Sequence, residues 1–380
     1  MKLLYLHDVP LDMARANVLQ VLHMCSAFAG HGQDVTLAVP RMRGAAARCC
    51  FGESIISKPA TFEVVQYPCL NVPRFKMAAA WLGARRLVRA TEADWCMTRS
   101  PLLLDLAIRA GHDCVYEAHN SFIHKSRVID GPLTRQLLMN CRSRSVLCFV
   151  AISGALAGKW RDKGVPSDKV IALHDAVDAD GVQKTSDGNS VREELGIKEN
   201  AKVVVYAGSL YPDREIGRVF GLAEHFRDAV FLLVGGPRAA AEECRRVGEE
   251  RGIDNIIVHD RVPHSDVPSF LACADVLLMI WSKLVPTMNY CSPLKLFEYM
   301  ASGRIIVGDG YPTIREVLTD GQEALLAEPD NVGDLKLRLS EALEMSYPNE
   351  MASAARDLAL SKHTWQGRAE AILARVRQGK

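Results

Sequence analysis

"KVVVYAGSLYPDRE", residues 202–215, is a run of β-branched and aromatic side chains that stops at Gly208 and passes into a polar loop ending in Arg214 and Glu215. Such a run reads as a strand feeding a turn. A helical segment follows, and the unit then recurs in "AVFLLVGGP" (229–237), "NIIVHDRV" (255–262), "DVLLMIW" (275–281), "RIIVGDG" (304–310) and "ALLAEP" (324–329). Strands alternating with helices predict a parallel sheet with crossover connections. The first half repeats the pattern, with "KLLYLH" (2–7) and "DVTLAVP" (34–40) flanking the helix "ANVLQVLHMCSAFAGHG" (16–32). Further strands are expected at "FEVVQY" (62–67), "DWCMTR" (94–99), "CVYEAH" (114–119), "SVLCFVAIS" (145–153) and "KVIALHD" (169–175).

The expected fold class is therefore α/β, with two successive doubly wound Rossmann-like domains and a ligand site in the cleft between them. A first domain over 1–180, a polar linker over 181–200 and a second domain over 201–360 account for most of the chain. Periodicity alone also fits a two-domain dehydrogenase. No G-x-G-x-x-G follows the first strand, however, so a dinucleotide fingerprint is missing.

Composition is that of a globular protein, 48% hydrophobic and 24% charged over 380 residues, with a formal net charge of only +1. The charge is uneven: residues 1–190 hold 23 Lys and Arg against 17 Asp and Glu, and residues 191–380 hold 23 against 28. A basic first half suits an anionic partner such as a membrane surface or a lipid-linked phosphate, or is an uneven solvated surface. The 11 cysteines, including adjacent Cys49 and Cys50, contain no C-x-x-C pair, which argues against a zinc site or a disulfide framework. Apolar runs such as "VLLMIW" (276–281) are far short of the roughly 20 residues that span a bilayer. A cytoplasmic location, extending to the inner face of the plasma membrane, is expected.

Chemistry-bearing residues cluster at strand ends. "SPLKLFEYM" (292–300) reads as a helix start, with Ser292 as cap and Pro293 at the first helical position. Lys295 is out of place there, because a helix N-terminus disfavours a cation unless an anion binds. It serves a bound diphosphate, or it is a solvated lysine paired with Glu298. Glu298 suits a ribose diol, or a surface ion pair. Gly208 lets backbone approach a ligand, and Arg214 can fork onto phosphate oxygens. The Gly235-Gly236-Pro237 turn is weak evidence by itself. "YEAHN" (116–120) puts Glu117, His119 and Asn120 at a strand's C-terminal end, the ligand-binding edge of open α/β sheets. "DAD" (178–180) matches a metal-binding D-x-D, but it follows no central strand and is read as coincidental. "AAAWLGARRLVRA" (78–90) is an ordinary amphipathic helix or, through Trp81, Arg85, Arg86 and Arg89, an interfacial one.

Taken in order, "YEAHN", "VAISGALAGKW", "GVPSDKVIALHDAVD", "YAGSLYPDRE", "FLLVGGP", "SPLKLFEYMASGRIIV" and "LTDGQEALLAEPDN" resemble glycosyltransferase family 4 enzymes of the GT-B architecture, over nearly the whole chain. The resemblance implies a retaining hexosyl- or N-acetylhexosaminyl-type transferase of cell-surface polysaccharide assembly. It would use a UDP- or GDP-linked donor and a glycan or lipid-linked acceptor, with neither a metal nor a further cofactor. By the same resemblance, Gly208, Ser209, Arg214, Gly235, Gly236, Arg261, Val262, Tyr290, Ser292, Pro293, Leu294, Lys295 and Glu298 bind donor. His119, Arg214 and Lys295 act on the transferred sugar and its diphosphate, while Asn17, Glu117 and Asn120 face the acceptor. A final helix over 361–380, containing Trp365, is implied to cross back to the first domain.

Three positions depart from the family pattern: Tyr290 stands where the first glutamate of E-x7-E is usual, Ser209 where some relatives carry arginine, and Glu215 where glycine is common. Nucleic acid is not expected as a partner, whereas peripheral contact with an anionic membrane is. A nucleotide-sugar epimerase and a non-catalytic nucleotide-sugar binder remain as alternative readings.

Overall fold

The computed structural model describes residues 1–11, 16–41, 61–69, 76–182 and 188–379. The chain divides into two compact units, one comprising Met1–Asp178, Tyr290–Ser292 and Thr364–Lys380, the other Ala179–Asn289 and Pro293–His363.

In the first unit, β1 (Lys2–Leu6), β2 (Asp34–Pro40), β3 (Glu63–Tyr67), β4 (Trp95–Thr98), β5 (Asp113–Ala118), β6 (Val146–Ala151) and β7 (Val170–Ala172) form one sheet in the order β3-β2-β1-β4-β5-β6-β7. Every pairing is parallel. Between the strands run α1 (Ala16–Gly30), α2 (Lys76–Ala90), α3 (Pro101–Arg109), α4 (Arg127–Arg142) and α5 (Gly154–Asp162). Leu4, Leu6, Cys96, Cys114 and Phe149 are buried in the sheet, as expected where helices cover both faces. Helix α1 is buried continuously from Val18 to Phe28 rather than along one stripe. The last helix of the chain, α15 (Trp365–Gly379), packs on α1 and β6 and explains this second covered face.

The second unit holds α6 (Ala179–Val182), α7 (Gly188–Glu194), α8 (Gly217–His225), α9 (Arg238–Glu250), α10 (Val267–Ala272), α11 (Leu294–Ser302), α12 (Pro312–Arg315), α13 (Val332–Glu344) and α14 (Glu350–Lys362). Its strands β8 (Lys202–Ser209), β9 (Ala229–Gly236), β10 (Ile256–His259), β11 (Val276–Met279), β12 (Ile305–Asp309) and β13 (Leu325–Ala327) are ordered β10-β9-β8-β11-β12-β13, again all parallel. In both sheets the strand order reverses beside the first strand, between β1 and β4 and between β8 and β11. The crevice beyond the strand ends at such a reversal is where open α/β sheets hold ligands.

Two expectations need correction. The polar stretch 181–200 is not a free linker in its described part, because α7 is seated on α10. A Cβ on Gly188 would lie 2.4 Å from the Ala272 backbone, so only glycine permits that approach. Arg192 fixes the contact, donating to Cys273 O at 2.9 Å and to Asp275 Oδ2 at 2.9 Å. Ser292 does not cap α11 either. Pro293 is the capping residue, and the Ser292 hydroxyl instead accepts the Asp175 amide at 2.7 Å within the first unit. Residues 183–187 of the expected linker, Cys49, Cys50 and the side chain of Asp180 in "DAD" lie outside the described residues.

Candidate active site

In the second unit, β8 ends at Gly208 with φ +150°, a conformation that favours glycine. Beside it, α11 begins with Leu294 and Lys295. The Tyr299 hydroxyl, one turn on, takes the Ala207 amide at 2.8 Å and so pins the helix to the end of β8. The Lys295 ammonium lies 4.3 Å from the Tyr206 ring centroid and 5.2 Å from that of Trp281, just beyond β11. Arg214 approaches Trp281 as well, with its guanidinium carbon 5.5 Å from the ring centroid. Its Nε has no hydrogen-bond partner, and its carboxylate neighbour, Asp213, is 3.8 Å away. Two cations thus share one aromatic ring next to a helix N-terminus, an arrangement that an anion would relieve.

The ring is held from behind. Asp309, fully buried at the end of β12, accepts Arg218 Nη1 and Nη2 at 2.9 and 2.8 Å and the Trp281 amide at 2.8 Å. Glu215 adopts φ +54°, which costs a residue with a side chain about 1 kcal/mol or more. Its carboxylate accepts the Ser282 hydroxyl at 3.2 Å and lies 3.5 Å from Arg218. The left-handed backbone gives a physical reason for glycine to be common at this position.

Other expected donor residues divide into neighbours and non-neighbours of this cluster. A Cβ on Gly235, φ +151°, would fall 1.8 Å from Gly208 O, so this glycine is required by strand packing. Gly236 lies against Arg261, which is exposed, while Val262 is half-buried in the same loop. Glu298 Oε1 is 3.6 Å from His264 Nε2, a charge contact too long for a hydrogen bond. Ser209 is exposed at the end of β8. Tyr290 and Ser292 belong to the first unit. Tyr290 is 4% exposed within that unit's core and its carbonyl accepts the Ser153 hydroxyl, so packing accounts for its side chain. The Ser292 hydroxyl is likewise taken up within the first unit, by the Asp175 amide.

In the first unit, a cavity of about 190 Å³ lies at the ends of β1, β4 and β5, with His7, Asp8, Asn17, Arg99, His119, Asn120 and Trp160 in its wall. Glu117 lies beneath it rather than in it. Its carboxylate has no exposure and accepts Gln20 Nε2 at 2.5 Å, Arg368 Nη2 at 2.9 Å and the Tyr5 hydroxyl at 3.3 Å. Direct acceptor contact by Glu117 is therefore withdrawn, since the group is enclosed and already bonded. Burial pushes the Glu117 carboxyl up, but Arg368, His119 and Arg99 together hold it well below the usual carboxylate range. His119 Nε2 meets Glu117 Oε1 at 2.9 Å. Burial, reinforced by the Arg99 charge, lowers this imidazole to about 4 against the pull of Glu117. A neutral ring facing a carboxylate carries its proton on Nε2, which leaves Nδ1 as an acceptor.

The network extends further. Gln20 donates also to Asp175 at 3.0 Å and accepts Arg99 at 2.5 Å, while Arg368 Nε donates to His174 O. Burial, with the Glu117 charge adding to it and Arg368 opposing, pushes Asp175 up to about 7. The sequence reading missed Gln20, Arg99, Asp175, Trp281, Asp309 and Arg368. A polar residue inside an apolar run, as Asp309 is in "RIIVGDG", was the available signal for one of them. Among the described residues no group of three or more His, Cys, Asp or Glu is placed to hold a metal ion. No described helix is long and apolar enough to cross a membrane.

Comparison with known proteins places this geometry in context. Residues 18–180 match the family model described as Glycosyltransferase Family 4, and residues 220–374 the one described as Glycosyl transferase-like. An Escherichia coli (strain K12) protein described as a colanic acid biosynthesis glycosyl transferase is 24% identical over 220 residues, 56% of this chain and 53% of its own length. The lipopolysaccharide 1,2-N-acetylglucosaminetransferase of Salmonella typhimurium (strain LT2) is 26% identical over 203 residues, 49% and 51% of the two chains. The chain spans about half the length of the curated relatives it matches. Among solved structures, Anabaena HepE in complex with UDP and glucose superimposes with a TM-score of 0.76 at 16% identity, covering 99% of each chain. The sucrose-phosphate synthase of Thermosynechococcus elongatus gives 0.78 at 13% identity, covering 100% of this chain and 99% of its own. The fold is that of the GT-B glycosyltransferases.

Proposed function

We infer, from matches to the Glycosyltransferase Family 4 model over residues 18–180 and to the Glycosyl transferase-like model over residues 220–374, a nucleotide-sugar-dependent glycosyltransferase that builds cell-surface polysaccharide. The observation that carries this reading is the convergence of Arg214 and Lys295 on Trp281 at the start of α11. The donor diphosphate would lie between these cations and the helix N-terminus. As the bond from the sugar's anomeric carbon to the diphosphate breaks and the acceptor oxygen bonds to that carbon, the cations offset charge gathering on the leaving group. The acceptor oxygen enters on the face that the diphosphate leaves and its proton passes to the departing diphosphate, so the anomeric configuration is retained and neither a metal nor an enzymic nucleophile is required. Glu298 would accept from the ribose hydroxyls, with His264 beside it. Neutral His119 would accept from a hydroxyl of the transferred sugar, and Asn17 and Asn120 would face the acceptor.

HepE, solved with UDP and with UDP-glucose, favours a uridine donor with a hexosyl group. A GDP-linked donor or an N-acetylhexosaminyl group is the alternative within the same reading. Matches to proteins of colanic acid and lipopolysaccharide assembly support a glycan or lipid-linked acceptor, and the reading extends to action at the cytoplasmic face of the plasma membrane. The cationic face of α2 is suited to peripheral contact there, with Leu82 59% exposed beside Arg85, Arg86 and Arg89. Sedimentation with anionic vesicles at low salt checks that contact, and failure to sediment would remove it.

Calorimetry with UDP, GDP and ADP and their sugar conjugates, on wild type and Glu298→Ala, tests the donor site. Selective binding of one nucleotide, weakened about ten- to a hundredfold in the variant by loss of a charge-assisted hydrogen bond of roughly 1.5–3 kcal/mol, is expected. No binding at millimolar concentration would overturn the reading. The packing of Tyr290 into the first unit, where a motif glutamate is usual, favours a non-catalytic nucleotide-sugar binder as the second reading. Such a protein would bind donor without transfer or slow donor hydrolysis.

A further inference from the structure

Glu215 carries two unfavourable features at one position. Its backbone is left-handed, with φ +54° and ψ +37°, where any residue with a side chain is strained. Its side chain is a carboxylate one residue from Arg214, and a negative charge there opposes the anion that Arg214 and Lys295 would hold. A residue kept under both conditions calls for a contact that glycine could not make.

That contact is with the loop after β11. Glu215 Oε1 accepts the hydroxyl of Ser282, which is fully buried, at 3.2 Å. The same hydroxyl oxygen takes the Leu284 amide at 3.0 Å, so its single proton is directed at Glu215. Arg218 braces the pair, lying 3.5 Å from Glu215 Oε2 and donating to Trp281 O at 3.4 Å. Position in the chain gives the contact its meaning. Arg214 closes a short 3-10 turn, Pro212–Arg214, which the Glu215 amide ends by donating to Pro212 O at 3.0 Å. Trp281 immediately precedes Ser282. One side-chain hydrogen bond thus joins the residue after the cation to the residue after the ring, and that cation and ring lie 5.5 Å apart.

We propose that Glu215 and Ser282 form a latch that holds Arg214 and Trp281 at their anion-binding spacing, which makes both of them positioning residues of the donor site. The latch deepens the proposed function and rests on that reading for the identity of the anion, but its mechanics are testable with a simpler one.

Calorimetry with UDP and with inorganic pyrophosphate, on wild type, Glu215→Gln, Glu215→Gly, Ser282→Ala and the double variant Glu215→Gly/Ser282→Ala, provides the test. Glu215→Gln keeps the acceptor without the charge and should bind both ligands as tightly as wild type or more so. Glu215→Gly relieves the backbone and removes a negative charge, yet should bind about tenfold more weakly, and Ser282→Ala should lose a similar factor. Because either single variant removes the same contact, the double variant should stay within about twofold of the weaker single. Unfolding midpoints identify any variant that fails to fold, and the contrast between Glu215→Gln and Ser282→Ala then decides. Tighter binding in Glu215→Gly, as loss of a nearby negative charge alone would give, would overturn the proposal. So would binding in Glu215→Gln as weak as in Glu215→Gly, single losses that add in the double variant, or no binding of either ligand to wild type. Pyrophosphate binding without UDP binding would remove the nucleotide reading and leave the latch to be judged by the variants.

Discussion

The two units use the same sheet reversal for opposite electrostatic ends. Beside β1 and β4, the first unit turns its charges on one another: Glu117, Arg368, Gln20, Asp175 and Arg99 form a largely buried network, in which Arg368 Nη1 is left unbonded, with neutral histidines around it. Beside β8 and β11, the second unit gathers two cations on one ring. Arg214 and Lys295 meet over an aromatic ring, and the nearest acid to Arg214 is 3.8 Å away. Buried charges bonded to one another contribute to the fold, whereas cations held close together raise affinity for an anion. The same topology thus yields a scaffold in one unit and a receptor in the other.

The strongest way to break this contrast is Arg368→Leu. Removing the cation leaves Glu117 buried and uncompensated, which costs about 3–5 kcal/mol, to be read as a lower urea midpoint. Adding Glu117→Leu should recover much of that loss, since a buried pair replaced by apolar groups is often near neutral. No recovery in the double variant would mean that the network, and not its charge balance, holds the unit. Next in size, Lys295→Ala and Arg214→Ala should each weaken UDP-sugar binding about ten- to a hundredfold and leave the unfolding midpoint nearly unchanged. A large stability loss there would make these residues scaffold and erase the contrast.

These predictions turn on pairs that the sequence does not advertise. All thirteen strands of the described residues were legible, because runs such as "KVVVYAGS" and "AVFLLVGG" are buried on both faces and carry a glycine at or next to their last residue. Lys295 and Arg214 could be singled out because each is locally odd or sits on a strand-end loop. Arg368 could not: it reads as one more charged residue on an amphipathic helix, and its partner lies 251 residues earlier. Ser292 misled for the reverse reason, since a serine before Pro-Leu-Lys has the local form of a cap while its hydroxyl is taken by a distant amide. Local patterns give elements and exposed oddities, whereas buried polar partners are set by the tertiary fold.

Smaller effects sharpen the comparison. Asp309→Asn keeps the buried site filled but weakens the bidentate contact to Arg218, and through it the seat of Trp281. Nucleotide affinity should fall severalfold, more than in a substitution on the exposed face of α9, as calorimetry would record. Asp175 supplies a pH signature. Its folded value, raised to about 7 from an ordinary 3.8, means that the folded chain binds the proton more tightly, so this group's contribution is present at acid pH and lost as pH rises toward 7. Asp175→Asn should therefore match wild type at or below about pH 4, become progressively the more stable of the two between pH 4 and 7, and keep a constant lead above that. His119, lowered to about 4, acts oppositely, its contribution being lost as pH falls from about 6.5 to 4. Urea midpoints across pH 4–8 would record both slopes.

The route of the chain carries a consequence for synthesis. The first unit takes its last helix from residues 365–379, after the whole of the second unit has been made. At ribosomal speeds of about 5–20 residues per second, Glu117 waits roughly 10–50 s for Arg368. Over that interval the nascent first unit holds a carboxylate without its strongest cation and an α1 helix with one apolar face uncovered, while the second unit is synthesised from first residue to last. Chaperone capture and proteolysis of stalled chains should therefore fall on the part of the protein that is translated first.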